Sequence, residues 1–128
     1  MLLIEGWLKL ATGEFDKVAD QAQAMVKATN EEDGCLHYSF SRDIADPDLI
    51  RISERWASQE ALAAHSASAH MAAFNKAMGS VQREGADLRL YSADEVRKLM
   101  YSRERKCRCK RWHLRRPCGS PTRPARGD

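Results

Sequence analysis

No apolar run in this sequence approaches the roughly 18–20 residues that a helix needs to cross a bilayer. The opening MLLIEGWLKLA has no basic leader, and Glu5 and Lys9 interrupt its apolar segment. No signal peptide is therefore expected, and the cytoplasm is the expected compartment. Cysteine is nearly missing from residues 1–100, where Cys35 alone occurs. A disulfide framework is excluded there, and Cys35 reads as a small buried hydrophobe. Also absent are a phosphate-binding loop, a dinucleotide fingerprint, a His-Glu-x-x-His helix and a Gly-x-Ser-x-Gly elbow. What remains open is acid–base or binding-driven chemistry with no recognisable bound cofactor.

What the sequence does hold is one domain's worth of chain. Its 128 residues, 43% apolar and 30% charged, suit a globular protein whose core needs no metal or disulfide. The net charge of +3 averages two unlike segments. Residues 1–100 carry 11 Lys and Arg against 16 Asp and Glu, a balance of −5, whereas residues 101–128 carry 10 against 2, a balance of +8. Nucleic-acid binding would have to rest on that tail alone, so it is not expected of the domain. The tail has no period of either kind and is dense in Arg, Pro, Gly and Cys, which predicts disorder. Its Cys107, Cys109, His113 and Cys118 fit none of the common zinc-finger spacings. Such an abrupt shift in composition also resembles out-of-frame reading of a GC-rich gene.

Hydrophobic periodicity divides residues 1–100 into alternating elements. Leu2 to Ala11 alternates as a strand, and from Glu14 the period becomes helical, with Phe15, Val18, Ala22, Met25 and Val26 on one stripe. Gly34 is a plausible stop after Glu31-Glu32-Asp33. Cys35 to Arg42 and Leu49 to Ala57 read as strands joined by a short polar turn, hence an antiparallel hairpin. Ser58 is a sound N-cap for a helix expected to run unbroken to about Met78. Ala86 to Tyr91 is a fourth strand, and Ser92-Ala93-Asp94-Glu95 has capping-box spacing for a short last helix. The order β-α-β-β-α-β is the ferredoxin-like α+β arrangement. Its helix-free sheet face carries Leu3 and Trp7, and a second copy packed there is the economical cover, so a homodimer is expected.

The junction between the third strand and the following helix gathers the groups able to do chemistry. Strand alternation puts Glu54 and Trp56 on one face. Helical steps of about 100° place His70 on the buried side of the helix with Leu62, Ser66, Ala69 and Ala73, and place His65 off its edge. Five residues apart, the two imidazoles sit about 140° apart on a continuous helix, which argues against joint metal ligation. His70 can act as a neutral base near pH 7, or can be a core histidine bonded to a carbonyl or to Glu54. Glu54 can orient that imidazole, stay ionised beside a substrate, or pair with an arginine. Trp56 can wall an aromatic pocket or simply fill the core. Tyr38, His37, Phe74 and His65 are the further candidates for substrate contact; spacing alone does not fix the face that His37 and Tyr38 use, and His65 is expected at the flank.

Gly34-Cys35-Leu36-His37-Tyr38, then Glu54-Arg55-Trp56-Ala57-Ser58, Leu62-Ala63-Ala64-His65 and Ser68-Ala69-His70-Met71 with Phe74 together resemble the antibiotic biosynthesis monooxygenase family, nearest its quinol monooxygenase-like members. The likeness spans about residues 2–100. It implies a dimeric α+β barrel with a pocket between sheet and helices in each subunit. It implies oxygenation of quinols or polycyclic phenols by O2 without metal, flavin or haem, in a dry aromatic pocket. On this likeness His70 is the base or anion partner, Glu54 its orienter and Trp56 the pocket wall. Alternatives are an isomerase on the same fold or a dimeric ligand-binding or stress protein without turnover.

Overall fold

The alternating apolar residues of Leu2–Leu10 form strand β1, and the computed structural model, which describes residues 1–100, sets this strand inside the sheet. The expectations for residues 101–128 lie outside the described residues. β2 (Cys35–Arg42), β3 (Leu49–Trp56) and β4 (Arg83–Ser92) complete an antiparallel sheet of order β2-β3-β1-β4. The helices are α1 (Ala19–Asn30), α2 (Gln59–Ser66) and α3 (Ala69–Met78). Residues Met1–Val96 form one compact unit. The expected α+β ferredoxin-like subunit is what this arrangement is, including the β2–β3 hairpin. Among the described residues no helix is long and apolar enough to cross a membrane.

Register explains where the core sits. Leu2, Ile4, Gly6 and Leu8 oppose Trp56, Glu54, Ile52 and Ile50, so these pairs share the helix-facing side of the sheet. From β3 alone, Ile50, Ile52, Glu54 and Trp56 are all buried there. Val18, Ala22 and Met25 at α1 and Phe74 and Met78 on α3 close over them. Gly6 is the point of closest approach: a Cβ there would lie 1.9 Å from the Asp87 carbonyl oxygen, so only glycine lets β1 and β4 meet at this register. The opposite side pairs Leu3, Glu5 and Trp7 with Arg55, Ser53 and Arg51.

Two expectations about helices are corrected. The helix after Ser58 is not continuous. It stops at Ser66, turns through Ala67, and restarts on Ser68, whose hydroxyl accepts from Met71 N–H at 3.3 Å and donates to the His65 carbonyl at 2.6 Å. Angles counted across that break lose their meaning, and Ser66, Ala69 and Ala73 are exposed rather than buried. The second correction concerns Ser92-Ala93-Asp94-Glu95, which starts no helix. Ala93 instead exchanges backbone hydrogen bonds with Met1, prolonging the β1–β4 ladder, and Val96 is 94% exposed. A capping box with no apolar surface to pack against does not offset the cost of nucleating a short helix.

Candidate active site

β3 delivers Glu54 and Trp56 to the sheet face beneath α2. Trp56 is fully buried, and its Nε1–H donates to Glu54 Oε2 at 2.9 Å. The carboxyl of Glu54, 7% exposed, is pushed above its ordinary range by burial; the indole hydrogen bond and the charge of His65 pull the other way. The sign for stability follows. A carboxylate whose folded pKa is raised favours folding most in its protonated form, so its contribution falls as pH rises from the unfolded value of 4.5 through the folded one. Glu54→Gln keeps an acceptor for the indole and removes the charge. Its stability in urea should match wild type near ~pH 4 and exceed it near ~pH 8, with the gap widening between them; a gap of opposite sign at high pH contradicts a destabilising buried charge.

The two imidazoles come together because the helix breaks between them. His65, expected at the flank, is 3% exposed and central: its ring lies 4.9 Å from Trp56, 5.2 Å from Tyr38 and 5.9 Å from His70, centroid to centroid. His70 opens α3 and is only partly buried. Both rings turn to Glu32, in the turn between α1 and β2. His65 Nδ1 lies 3.2 Å from Glu32 Oε1, within reach of a hydrogen bond. His70 Nε2 touches the same oxygen as an ion-pair contact without hydrogen-bond geometry, and this nitrogen is buried with no other partner. The carboxylate against His70 is thus Glu32, whereas Glu54 serves Trp56.

The remaining candidates divide between the two sides of the sheet. Tyr38 lies in the core on the helix side, with its ring 5.5 Å from Phe40 and 6.3 Å from Trp56, and burial together with the charge of Glu54 pushes its phenol up, so it stays protonated. Phe74 reaches the same layer from α3, 5.8 Å from Phe40. His37 faces the other way, opposite Arg55, with Nε2 3.0 Å from Ser39 Oγ. A slip in the β2–β3 register between Cys35 and His37 puts Leu36 out at 53% exposure, although simple alternation places it with Tyr38.

A cavity of about 370 Å³ has Phe40 in its wall, the ring that stands 5.5 Å from that of Tyr38. α1 contributes Ala22 and Val26 to its wall, Phe15 comes from the turn before it, and Phe40, Arg42 and Ile50 come from the sheet. The Arg42 guanidinium stacks 4.9 Å from the Phe15 ring centre and pairs with Asp16. The walls are apolar with basic groups, Arg42 and Lys27, among them. Glu54, Trp56, His65 and His70 do not line this cavity. Tyr38, Phe40 and Phe74 form the aromatic layer that joins the two. Sequence reasoning missed Glu32, read only as part of an acidic run before a stop; its one signal was adjacency to Gly34, which aims the turn back at α2.

This fold, with a buried carboxylate–indole–imidazole cluster under a broken helix, defines a ferredoxin-like α+β subunit. The family model for antibiotic biosynthesis monooxygenase matches residues 1–77. The chain belongs to that family. A candidate antibiotic biosynthesis monooxygenase from Deinococcus radiodurans is 25% identical with a TM-score of 0.70, covering 79% of this chain and 100% of that one. A second such candidate, from Caulobacter crescentus, is 29% identical with a TM-score of 0.61, covering 73% and 90%. A Mycobacterium tuberculosis protein shares the fold at 20% identity and a TM-score of 0.66, covering 75% of this chain and 98% of its own. Among curated proteins none matches.

Proposed function

We propose that the protein is a cofactor-independent monooxygenase that uses O2 on a quinol or polycyclic phenol. The observation that carries this reading is the buried carboxylate–indole–imidazole cluster in a chain of the antibiotic biosynthesis monooxygenase family. The phenol binds with its hydroxyl against the imidazole cluster rather than in the Phe15–Phe40 cavity, whose wall His70 does not reach. His70, partly exposed at the start of α3, accepts the phenolic proton, and Glu32 stabilises the imidazolium that results. The electron-rich anion then reduces O2: a ring carbon bonds one oxygen atom, the O–O bond breaks, and the second atom leaves as water. For a quinol the balanced outcome is a hydroxyquinone and one water. Tyr38, held protonated, and the desolvated aromatic walls favour charge that develops on the substrate. His65, Glu54 and Trp56 hold the cluster in place. In this reading a second copy covers the outer sheet face, where the exposed Tyr91 of β4 lies opposite Leu3.

O2 uptake with a reduced naphthoquinol, run in EDTA, tests the reading. Wild type should consume O2 above the uncatalysed rate, and His70→Ala should lose ~10²–10⁴ of that rate, the usual worth of a positioned base. Equal uptake by the two proteins removes His70 from the chemistry. No uptake by wild type favours a ligand-binding role instead.

A further inference from the structure

We propose that Glu32, His65 and His70 form a binding site for one divalent first-row transition-metal ion. The three side chains converge from three elements: the turn after α1, the end of α2 and the start of α3. One ligand atom from each lies within 4.8 Å of the others. The separation of 3.2 Å between His65 Nδ1 and Glu32 Oε1 is close to the ~3.3 Å between two ligands that each stand ~2.05 Å from a tetrahedral ion. His70 Nε2 is a buried ring nitrogen without a hydrogen bond, in ion-pair contact with the oxygen that His65 also addresses, so the three ligand atoms meet at one point. One carboxylate oxygen shared by two imidazoles leaves lone pairs unused, and a cation placed among the three uses them.

The donor set selects the ion. Two imidazoles and a carboxylate suit zinc, cobalt, nickel or iron, whereas magnesium and calcium require mostly oxygen ligands. Three protein ligands leave a position open for water or a small anion. The Ser68 cap holds the break that lets both rings point inward. The proposal rests on this geometry and not on the oxygenase reading. The two also exclude each other at one atom: an ion on His70 Nε2 occupies the lone pair that a base needs.

The test is Co2+ titration of the full chain carrying Cys107→Ser, Cys109→Ser and Cys118→Ser, which removes competing tail thiolates. Binding is followed by calorimetry and by visible absorption. One ion per chain is expected, with a nitrogen–oxygen ligand-field spectrum, displaced by Zn2+. Affinity should fall by more than ~100-fold in both His70→Ala and Glu32→Gln, since loss of an outer partner alone costs about 10–100-fold. Circular dichroism of each variant confirms that it is folded, and because His65 is in the core it is left intact. No binding by the folded parent, or equal affinity in His70→Ala, overturns the site. Oxygen uptake in EDTA is a separate readout, so failure of either proposal leaves the other standing.

Discussion

Trp56→Ala should lower the unfolding free energy by ~3–5 kcal/mol, the usual cost of deleting a buried tryptophan ring. The side chain is fully buried, touches the rings of Tyr38 and His65, and belongs to the main core cluster. Against a typical total of about 5–15 kcal/mol, this brings the fold to the edge of stability. Trp56→Phe separates volume from hydrogen bonding. It restores most of the packing but leaves the Glu54 carboxylate buried without its donor, a penalty of about 1–3 kcal/mol. Losing that bond also removes one of the two influences that hold the Glu54 pKa down. The deficit of Trp56→Phe should therefore shrink in acid, where Glu54 is protonated, and grow as pH rises through its raised pKa. Urea melts across pH check this, and a deficit independent of pH would mean that only ring volume matters.

Gly34→Ala should cost about 2–5 kcal/mol, the sum of two separable effects. The backbone at Gly34 has φ +80, in the left-handed region, where an alanine loses about 1–2 kcal/mol. The added Cβ also lands 2.5 Å from the Ala61 Cβ on α2, an overpacking worth about 1–3 kcal/mol. Gly34 accepts from Ala57 N–H at 2.8 Å, so the same turn ties β2 to the end of β3 and sets the direction in which Glu32 points. Adding Ala61→Gly relieves the collision but not the φ penalty, and introduces ~1 kcal/mol of helix cost of its own. A double-mutant cycle should show favourable coupling between the two sites. Simple additivity contradicts the contact.

Strands were legible because their period is short and local. Ile50, Ile52, Glu54 and Trp56 alternate in sequence and are all buried on one face, and Ser58 caps α2 by accepting from Ala61 N–H at 3.2 Å. The failures arise where a local rule meets a tertiary fact. Ala67-Ser68 contains neither Gly nor Pro, so nothing in helix propensity announces a break; the only hint was a second Ser able to cap. That single break reverses the two histidines, drawing His65 into the core and making the ~140° separation irrelevant. Glu32 was invisible as a partner because it lies 33 residues from His65, and only the α1–β2 turn brings it near. Alternation does set His37 on the face opposite Tyr38 and Phe40; what it cannot express is the slip in pairing between Cys35 and His37, which turns Leu36 outward.

The measurement that bears most directly on a cofactor-independent monooxygenase is the fate of isotopic oxygen. EDTA-treated protein is given a reduced naphthoquinol under 18O2, and product and water are read by mass spectrometry. One 18O atom in the oxidised ring and one in water, with incorporation lost in His70→Ala, is the predicted result. An unlabelled quinone with labelled hydrogen peroxide, at the same rate in wild type and variant, is simple autoxidation and contradicts it.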